Sequence, residues 1–206
     1  YDGSSSATQA SITMRGVDSL HWDFRFRVMR LSLLGMLFIA RPGSRVTLEG
    51  VRAEDGGTYK PGLVALRALA GGTRNVLPMI NCQLGSSCHI HRSVIIPRRG
   101  HGIMTFAGRI ENNVFWQSFT GLQIGGNVTV LQNAIYGSTS RPGALLEDAG
   151  EMTVSDTGIN WNDCGGRTTV IGNAVPGSEG MCFQASQGWC VPPRQFANNS
   201  GHGCLV

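Results

Sequence analysis

The sequence predicts an all-β protein that folds as a right-handed parallel β-helix, a solenoid with about 20 residues in each coil. Three observations lead to this fold class. Short segments that end in Asn or Asp recur along the chain, at Asn113, Asn133, Asp156 and Asn173. These segments are rich in Val, Ile and Thr, which favour strands. Glycine, of which the chain has 29, separates them and indicates frequent turns.

The repeats can be followed in chain order. Residues 21–28 alternate apolar and polar side chains, as a half-buried strand does. Residues 45–51 resemble the later repeats, with Glu49 at the place of the Asn, and residues 76–82 look like another coil. The regular repeats occupy residues 109–115, 128–135, 152–159 and 168–175.

Two regions differ in regularity. Residues 1–75 are less regular and form either the first coils or another element. Residues 76–206 carry the parallel β-helix. Its last coil, residues 196–206, has no polar cap, and a solenoid needs its ends covered. We therefore expect this chain to be part of a larger polypeptide that continues beyond Val206.

The recurring asparagines have a structural interpretation. In a parallel β-helix, equivalent side chains of successive coils stack in files. An Asn at a coil corner tolerates the left-handed backbone conformation and hydrogen-bonds to its stacked neighbour. We therefore expect Asn113, Asn133 and Asn173 to form a ladder rather than to take part in catalysis.

The bulk charge limits the classes of partner. The formal net charge is +4, and only 15% of the residues are charged. The basic residues are scattered along the chain, whereas nucleic-acid binding needs them on one face, so we expect no nucleic-acid partner. The apolar stretch at residues 31–40 is too short to span a bilayer. A positive net charge suits an anionic glycan.

Six cysteines without a Cys-x-x-Cys pair favour an oxidising compartment and disulfide bonds. Two local pairings are predicted, Cys82 with Cys88 and Cys182 with Cys190. Asn127 and Asn198 begin glycosylation sequons. Together these features predict an extracellular or cell-surface location.

Three stretches of the sequence carry a family resemblance: residues 133–151, residues 173–180 and residues 196–205. In their order and spacing, they resemble the β-helix region of fibrocystin and fibrocystin-like proteins. They are more distantly similar to the cell-surface hyaluronidases of the cell-migration-inducing and transmembrane type. The resemblance covers residues 76–206 and implies a large secreted or cell-surface parent protein.

The acidic candidates for catalysis are Glu147 and Asp148, in the Leu-Glu-Asp element of the resemblance, and Glu179, in its Gly-Ser-Glu element. Polysaccharide-cleaving enzymes use paired carboxylates as acid and base. Adjacent residues of a strand face opposite sides, so Glu147 and Asp148 do not line one groove unless a turn intervenes. A solvated corner, or Asp148 capping backbone amides, is the favoured interpretation.

Two histidines are candidate metal ligands, because His89 and His91 share one face of a strand. Two ligands do not make a site, and a third from His101 or Glu111 is not required by the sequence. Exposed histidines beside a disulfide are the favoured interpretation, and no metal is expected. No nucleotide or dinucleotide fingerprint occurs, so no cofactor is expected.

Aromatic residues recur about once in each coil and offer a stacking surface for sugar rings if they point outward. The candidates are Trp116, Trp161 and Trp189. Packing in the core or at corners is the more frequent role of such residues.

Two functions from different classes remain. The favoured one is a non-enzymatic extracellular module that is structural or binds a glycan or an extracellular protein. The alternative is a hydrolase or lyase that acts on an acidic polysaccharide such as hyaluronan. The sequence offers no convergent carboxylate pair, which favours the first. It leaves the ligand and the oligomeric state open.

Overall fold

The computed structural model describes residues 11–15, 26–29, 38–54, 58–59, 76–97, 101–116, 118, 120–137, 157–161, 166–178, 180–185 and 193–204. Within these residues every regular element is a β-strand and none is a helix. The strands are β1 (Ser11–Arg15), β2 (Phe26–Met29), β3 (Phe38–Ala40), β4 (Arg45–Glu49), β5 (Val51–Glu54), β6 (Thr58–Tyr59), β7 (Val76–Leu77), β8 (Ile80–Cys82), β9 (Ser87–His91), β10 (Val94–Ile96), β11 (Ile103–Glu111), β12 (Val114–Trp116), β13 (Thr120–Leu131), β14 (Ala134–Tyr136), β15 (Thr157–Trp161), β16 (Thr169–Ile171), β17 (Ala174–Pro176), β18 (Phe183–Ala185), β19 (Gln195–Ala197) and β20 (Ser200–His202).

These strands form three rows in which neighbours pair in parallel. The first row contains β3, β8, the start of β11, the start of β13, β15 and β18. The second row contains β1, β4, β9, the end of β11, the end of β13, β16 and β19. The third row contains β2, β5, β10, β12, β14, β17 and β20. Only the small β6–β7 pair is antiparallel among the described strands. The predicted all-β class and the stacking of parallel strands are confirmed.

The chain passes through the rows in the same order each time, and each passage is called a unit. The long strands β11 and β13 run through the first and second rows, and their pairing shifts register between Thr105 and Ala107. The early strands β4 and β5 pair with β9 and β10, so residues 45–54 lie in the same rows as the later repeats.

The spacing of the units is less regular than the sequence predicts. Equivalent residues are 20 apart from Ser93 to Asn113 and from Asn113 to Asn133. The next step, from Asn133 to Asn173, is 40 residues. The expectation that Asp156 marks a separate step between these two is wrong, because Asn133 Nδ2 donates directly to Asn173 Oδ1; Asp156 itself lies outside the described residues.

The core lies between the rows and is built from stacked apolar files. In the second row, Ile90, Ile110 and Val130 occupy one register position and are fully buried. In the third row, Ile95, Phe115, Ile135 and Val175 form the matching file. Alternating side chains point outward, so each strand contributes one face to the core and one to the exterior.

A two-residue corner joins the second row to the third, and we call it the Asn corner. It comprises residues 92–93, 112–113, 132–133, 172–173 and 198–199. At its second position, Asn113 Nδ2 donates to Asn133 Oδ1 at 3.0 Å, Asn133 Nδ2 donates to Asn173 Oδ1 at 3.0 Å, and Asn173 Nδ2 donates to Asn199 Oδ1 at 2.9 Å. The predicted asparagine ladder is confirmed, and Asn199 extends it.

Each ladder side chain also satisfies backbone groups. The backbone N–H of Asn113 donates to Asn133 Oδ1, and Asn133 Nδ2 donates to the carbonyl of Ile110 at 2.9 Å. Asn113 and Asn133 are each 1% exposed, so these bonds replace the water that a corner would otherwise need.

The left-handed backbone conformation occurs one residue before the ladder. Asn112 and Gln132 have φ values of 54° and 51°, whereas Asn113 and Asn133 are not in this region. Glu49 is not the counterpart of the ladder Asn either, because it pairs in register with His91. Its unit places Val51 at the ladder position, and the Val51 N–H donates to Ser93 Oγ.

Two disulfides are present in the described residues. Cys82 is joined to Cys88, as predicted, and Cys182 is joined to Cys204. The predicted pairing of Cys182 with Cys190 is therefore wrong. Cys182 lies directly before β18 and Cys204 lies two residues after β20, so the two ends of the last unit meet, at a Cα–Cα distance of 5.6 Å.

Among the described residues, no helix has the length and apolar character that crossing a membrane requires.

Candidate functional site

The exterior of the third row carries an exposed pair of aromatic rings. Trp116, at the end of β12, pairs in register with Tyr136, at the end of β14. Their side chains are 47% and 38% exposed, and their ring centroids are 5.6 Å apart at an angle of 40°. Both rings point away from the core because their neighbours Phe115 and Ile135 point into it.

The register of the third row extends this pair into a file. Ala134 pairs with Ala174, which puts Pro176 of β17 in the position next to Tyr136. We call Trp116, Tyr136 and Pro176 the aromatic strip, to which Pro176 contributes an aliphatic ring. The file runs across the strands and therefore along the direction in which the units stack, with about 4.8 Å between neighbouring strands.

Small side chains lie beside the strip. Val114, Ala134 and Ala174 are the other outward positions of β12, β14 and β17, and all three are partly exposed. Because these side chains are short, the rings of the strip stand above them and their faces stay accessible. We call these three residues the floor.

Amide side chains border the floor on its other side. Asn112 and Gln132 are the first residues of their Asn corners and are exposed. The Cγ atom of Gln132 lies 3.3 Å from where a Cβ on Gly172 would be, so this side chain leans over the next unit. We call Asn112 and Gln132 the rim. Each amide offers both a donor and an acceptor to a ligand.

The charged groups of the described surface lie outside β12, β14 and β17, and they include Arg52 on β5 and Arg92 at the first position of an Asn corner. Glu49 accepts a salt bridge from Arg92, and Arg109 Nε lies 2.7 Å from Glu111 Oε2, both pairs involving the second row. The outward positions of β12, β14 and β17 carry no formally charged side chain.

The other predicted aromatic candidates do not join the strip. Trp161 is at the end of β15 in the first row, is partly buried and packs against the core. Its ring centroid lies 5.7 Å from that of Phe196. Trp189 lies outside the described residues.

The two candidate metal ligands share a face of β9, as expected, and both are partly buried. His91 Nε2 lies 3.9 Å from Glu49 Oε2. Burial lowers the pKa of His89, and Coulombic interactions with Arg45, His91 and Arg109 lower it further. In the part of the chain that the structure describes, no three His, Cys, Asp or Glu side chains are grouped to hold a metal ion.

His101, considered as a third ligand, lies directly before Gly102 in the chain and is not part of β9. It is 7% exposed, and burial lowers the pKa of His101 to about 4. A neutral imidazole at neutral pH follows from this shift. Glu111 pairs in register with His91 but is engaged by Arg109.

The carboxylates that the sequence offered for catalysis, Glu147, Asp148 and Glu179, lie outside the described residues. Their role stays a prediction. The two sequon asparagines are described, and both Asn127 and Asn198 are exposed.

Sequence reasoning missed Tyr136 as a partner of Trp116. A signal for it was present, because Trp116 and Tyr136 each stand three residues after a ladder Asn. Comparisons of the chain with protein-family models, with curated proteins and with solved structures find no match.

Proposed function

We propose that this chain is a right-handed parallel β-helix module of a secreted or cell-surface protein, and that it binds a glycan on the aromatic strip. The β-helix accounts for the three parallel rows, and the resemblance to fibrocystin-like proteins supports a large extracellular parent. The single observation that carries the binding proposal is the exposed, stacked pair Trp116 and Tyr136.

The exposure of both aromatic rings to solvent needs an explanation. Burial of each ring would contribute favourable free energy, yet both rings stay on the exterior while smaller apolar residues fill the core. Ring faces attract the apolar C–H faces of sugars, and the polar tips of Trp and Tyr hydrogen-bond to hydroxyl groups. A shallow strip bordered by amides therefore suits a glycan better than a compact apolar ligand.

The extracellular location is supported by chemistry of the same chain. The two disulfides need an oxidising compartment to persist. The sequon residues Asn127 and Asn198 are accessible for glycosylation. Expression in a secretory system followed by glycosidase digestion tests this, and the expected result is a mass shift that is absent when Asn127→Gln and Asn198→Gln are combined.

The binding proposal is tested by applying the purified protein to an array of neutral and anionic glycans. We expect at least one ligand whose binding depends on the strip. In Trp116→Ala, this binding weakens about tenfold, equivalent to about 1.4 kcal/mol. Tyr136→Ala weakens it in the same direction.

Leu84→Ala is the matched control, because Leu84 is a large apolar residue, 73% exposed, on a turn between β8 and β9. It should leave glycan binding unchanged. If no glycan binds, or if Leu84→Ala and Trp116→Ala weaken binding equally, the proposed function is wrong.

A further inference from the structure

Resting on the proposed function, we infer that the ligand is an uncharged oligosaccharide that lies along the stacking direction, with successive sugars over successive units. This names a substrate class that differs from the acidic polysaccharide favoured by the net charge of the whole chain. Three observations on the third row carry it: the direction of the strip, the absence of charge on it and the position of the rim.

The direction follows from the register. Trp116, Tyr136 and Pro176 follow one another across β12, β14 and β17, so a chain that crosses the strands meets an apolar surface in each unit. A chain that ran along one strand would meet only one ring before reaching a corner. The centroid distance of 5.6 Å between Trp116 and Tyr136 is close to the strand spacing of about 4.8 Å, so the rings form a continuous surface.

The charge distribution argues against a polyanion. Neither the strip nor the floor nor the rim contains a formal charge. Arg92, which holds the rim position in the unit before Asn112, is engaged by Glu49, and Arg109 on β11 is engaged by Glu111. An anionic sugar over the strip would lose water without gaining a cationic partner, and such desolvation is costly.

The rim supplies the polar contacts that an uncharged sugar needs. Asn112 and Gln132 occupy the same corner position in successive units, and both have the left-handed backbone conformation. Their amides therefore repeat with the same spacing as the rings. An oligosaccharide above the floor meets an aromatic ring on one side and an amide on the other in the units of β12 and β14, so its hydroxyl groups find neutral donors and acceptors there.

The inference predicts that affinity increases with the length of the oligosaccharide. A monosaccharide covers one ring, whereas a longer chain reaches from Trp116 towards Pro176. We expect binding to strengthen at least about tenfold from the monosaccharide to the tetrasaccharide of a strip-dependent glycan, and to change little between about 0.05 M and 0.5 M salt.

The decisive experiment compares two variants that place opposite charges at one rim position. Gln132→Lys and Gln132→Glu are titrated by calorimetry with the neutral and the anionic glycans that bind best on the array. For an uncharged ligand, both variants should weaken binding to a similar extent, because each removes the same amide. Circular dichroism and urea denaturation confirm that the variants fold.

Three outcomes separate this inference from the proposed function. If the strip-dependent ligands are neutral and the two variants behave alike, the inference holds. If these ligands are uronates or sulfated sugars, and Gln132→Lys strengthens binding while Gln132→Glu abolishes it, the inference is overturned but the proposed function stands. If no ligand depends on Trp116, the proposed function itself fails and the inference fails with it.

Discussion

The Asn corner and the connection that leaves the third row are two solutions to the same task, turning the chain within a unit. The Asn corner has two residues in each of the five units where it joins the second and third rows from β9 onward. The number of residues between the third row and the next strand of the first row varies: three separate β12 from β13, six separate β10 from β11 and β17 from β18, and twenty separate β14 from β15.

The difference shows what holds the register of the stack. At the Asn corner, side chains bond from unit to unit, and an inserted residue would separate Asn133 from both Asn113 and Asn173. The connections out of the third row carry no such ladder in the described residues, so their length is free to change. The constant corner also places Trp116 and Tyr136 at equal distances from it, which is why they stack.

The largest expected effect lies at Gly108 of β11, which follows the register shift between Thr105 and Ala107 and contacts the backbone of β9 closely. Gly108 has a φ of 122°, and a Cβ there would overlap the carbonyl oxygen of Cys88. Gly108→Ala should lower the free energy of unfolding by about 4 kcal/mol or more, because strain and overlap add. Urea denaturation followed by circular dichroism measures it.

Gly137→Ala is the control for that substitution. Gly137 has a φ of 61°, and a Cβ there would meet nothing within 4 Å. Only the left-handed conformation opposes the new side chain, at a cost of about 1 kcal/mol. Equal losses in the two variants would contradict the close packing of β11 on β9.

The next effect concerns the disulfide of the last unit. Cys182 and Cys204 are 22 residues apart and join the two ends of this unit, which has no described unit beyond it. The double variant Cys182→Ala, Cys204→Ala should lower the free energy of unfolding by about 3 kcal/mol, mainly through the freer unfolded chain. Wild-type protein under reducing conditions provides the comparison. Unchanged stability would show that this bond does not hold the last unit.

A smaller effect is expected at the ladder itself. Asn133→Ala removes the acceptor of the Asn113 N–H and the donor to the Ile110 carbonyl, so the free energy of unfolding should fall by about 2 kcal/mol or more. Asn133→Ser should lose less, because Ser93 already holds the equivalent position and accepts from a backbone N–H at Val51. A serine variant as unstable as the alanine variant would argue against the ladder.

The same comparison explains how much the sequence could predict. The all-β class and the ladder at Asn113, Asn133 and Asn173 were accessible, because hydrogen bonds between units require the same residue type at a fixed place in each unit. The 40-residue step from Asn133 to Asn173 was not, because Asp156 stands between them in the sequence at about the spacing expected of a ladder residue. The pairing of Cys182 with Cys204 was missed for a related reason, because it depends on where the last unit closes.

The site was predictable in part. Trp116 was a candidate from its residue type, but its partner is set by the register of β12 on β14, which places Tyr136 beside it. Trp161 looks similar in the sequence, yet it packs on Phe196 because β15 lies in a different row. Residue type alone does not distinguish an exterior ring from one that covers the core.

A matched pair of insertions tests most directly that the Asn corner sets the register of the stack. One variant carries a single Gly between Gln132 and Asn133, and the other carries a single Gly after Gly137. We expect the first to unfold at much lower urea or to fail to fold, because a one-residue slip reverses the faces of the strand that follows. The second should stay within about 0.6 kcal/mol of the wild type, because lengthening a connection costs little. Equal stability of the two insertion variants would contradict the account.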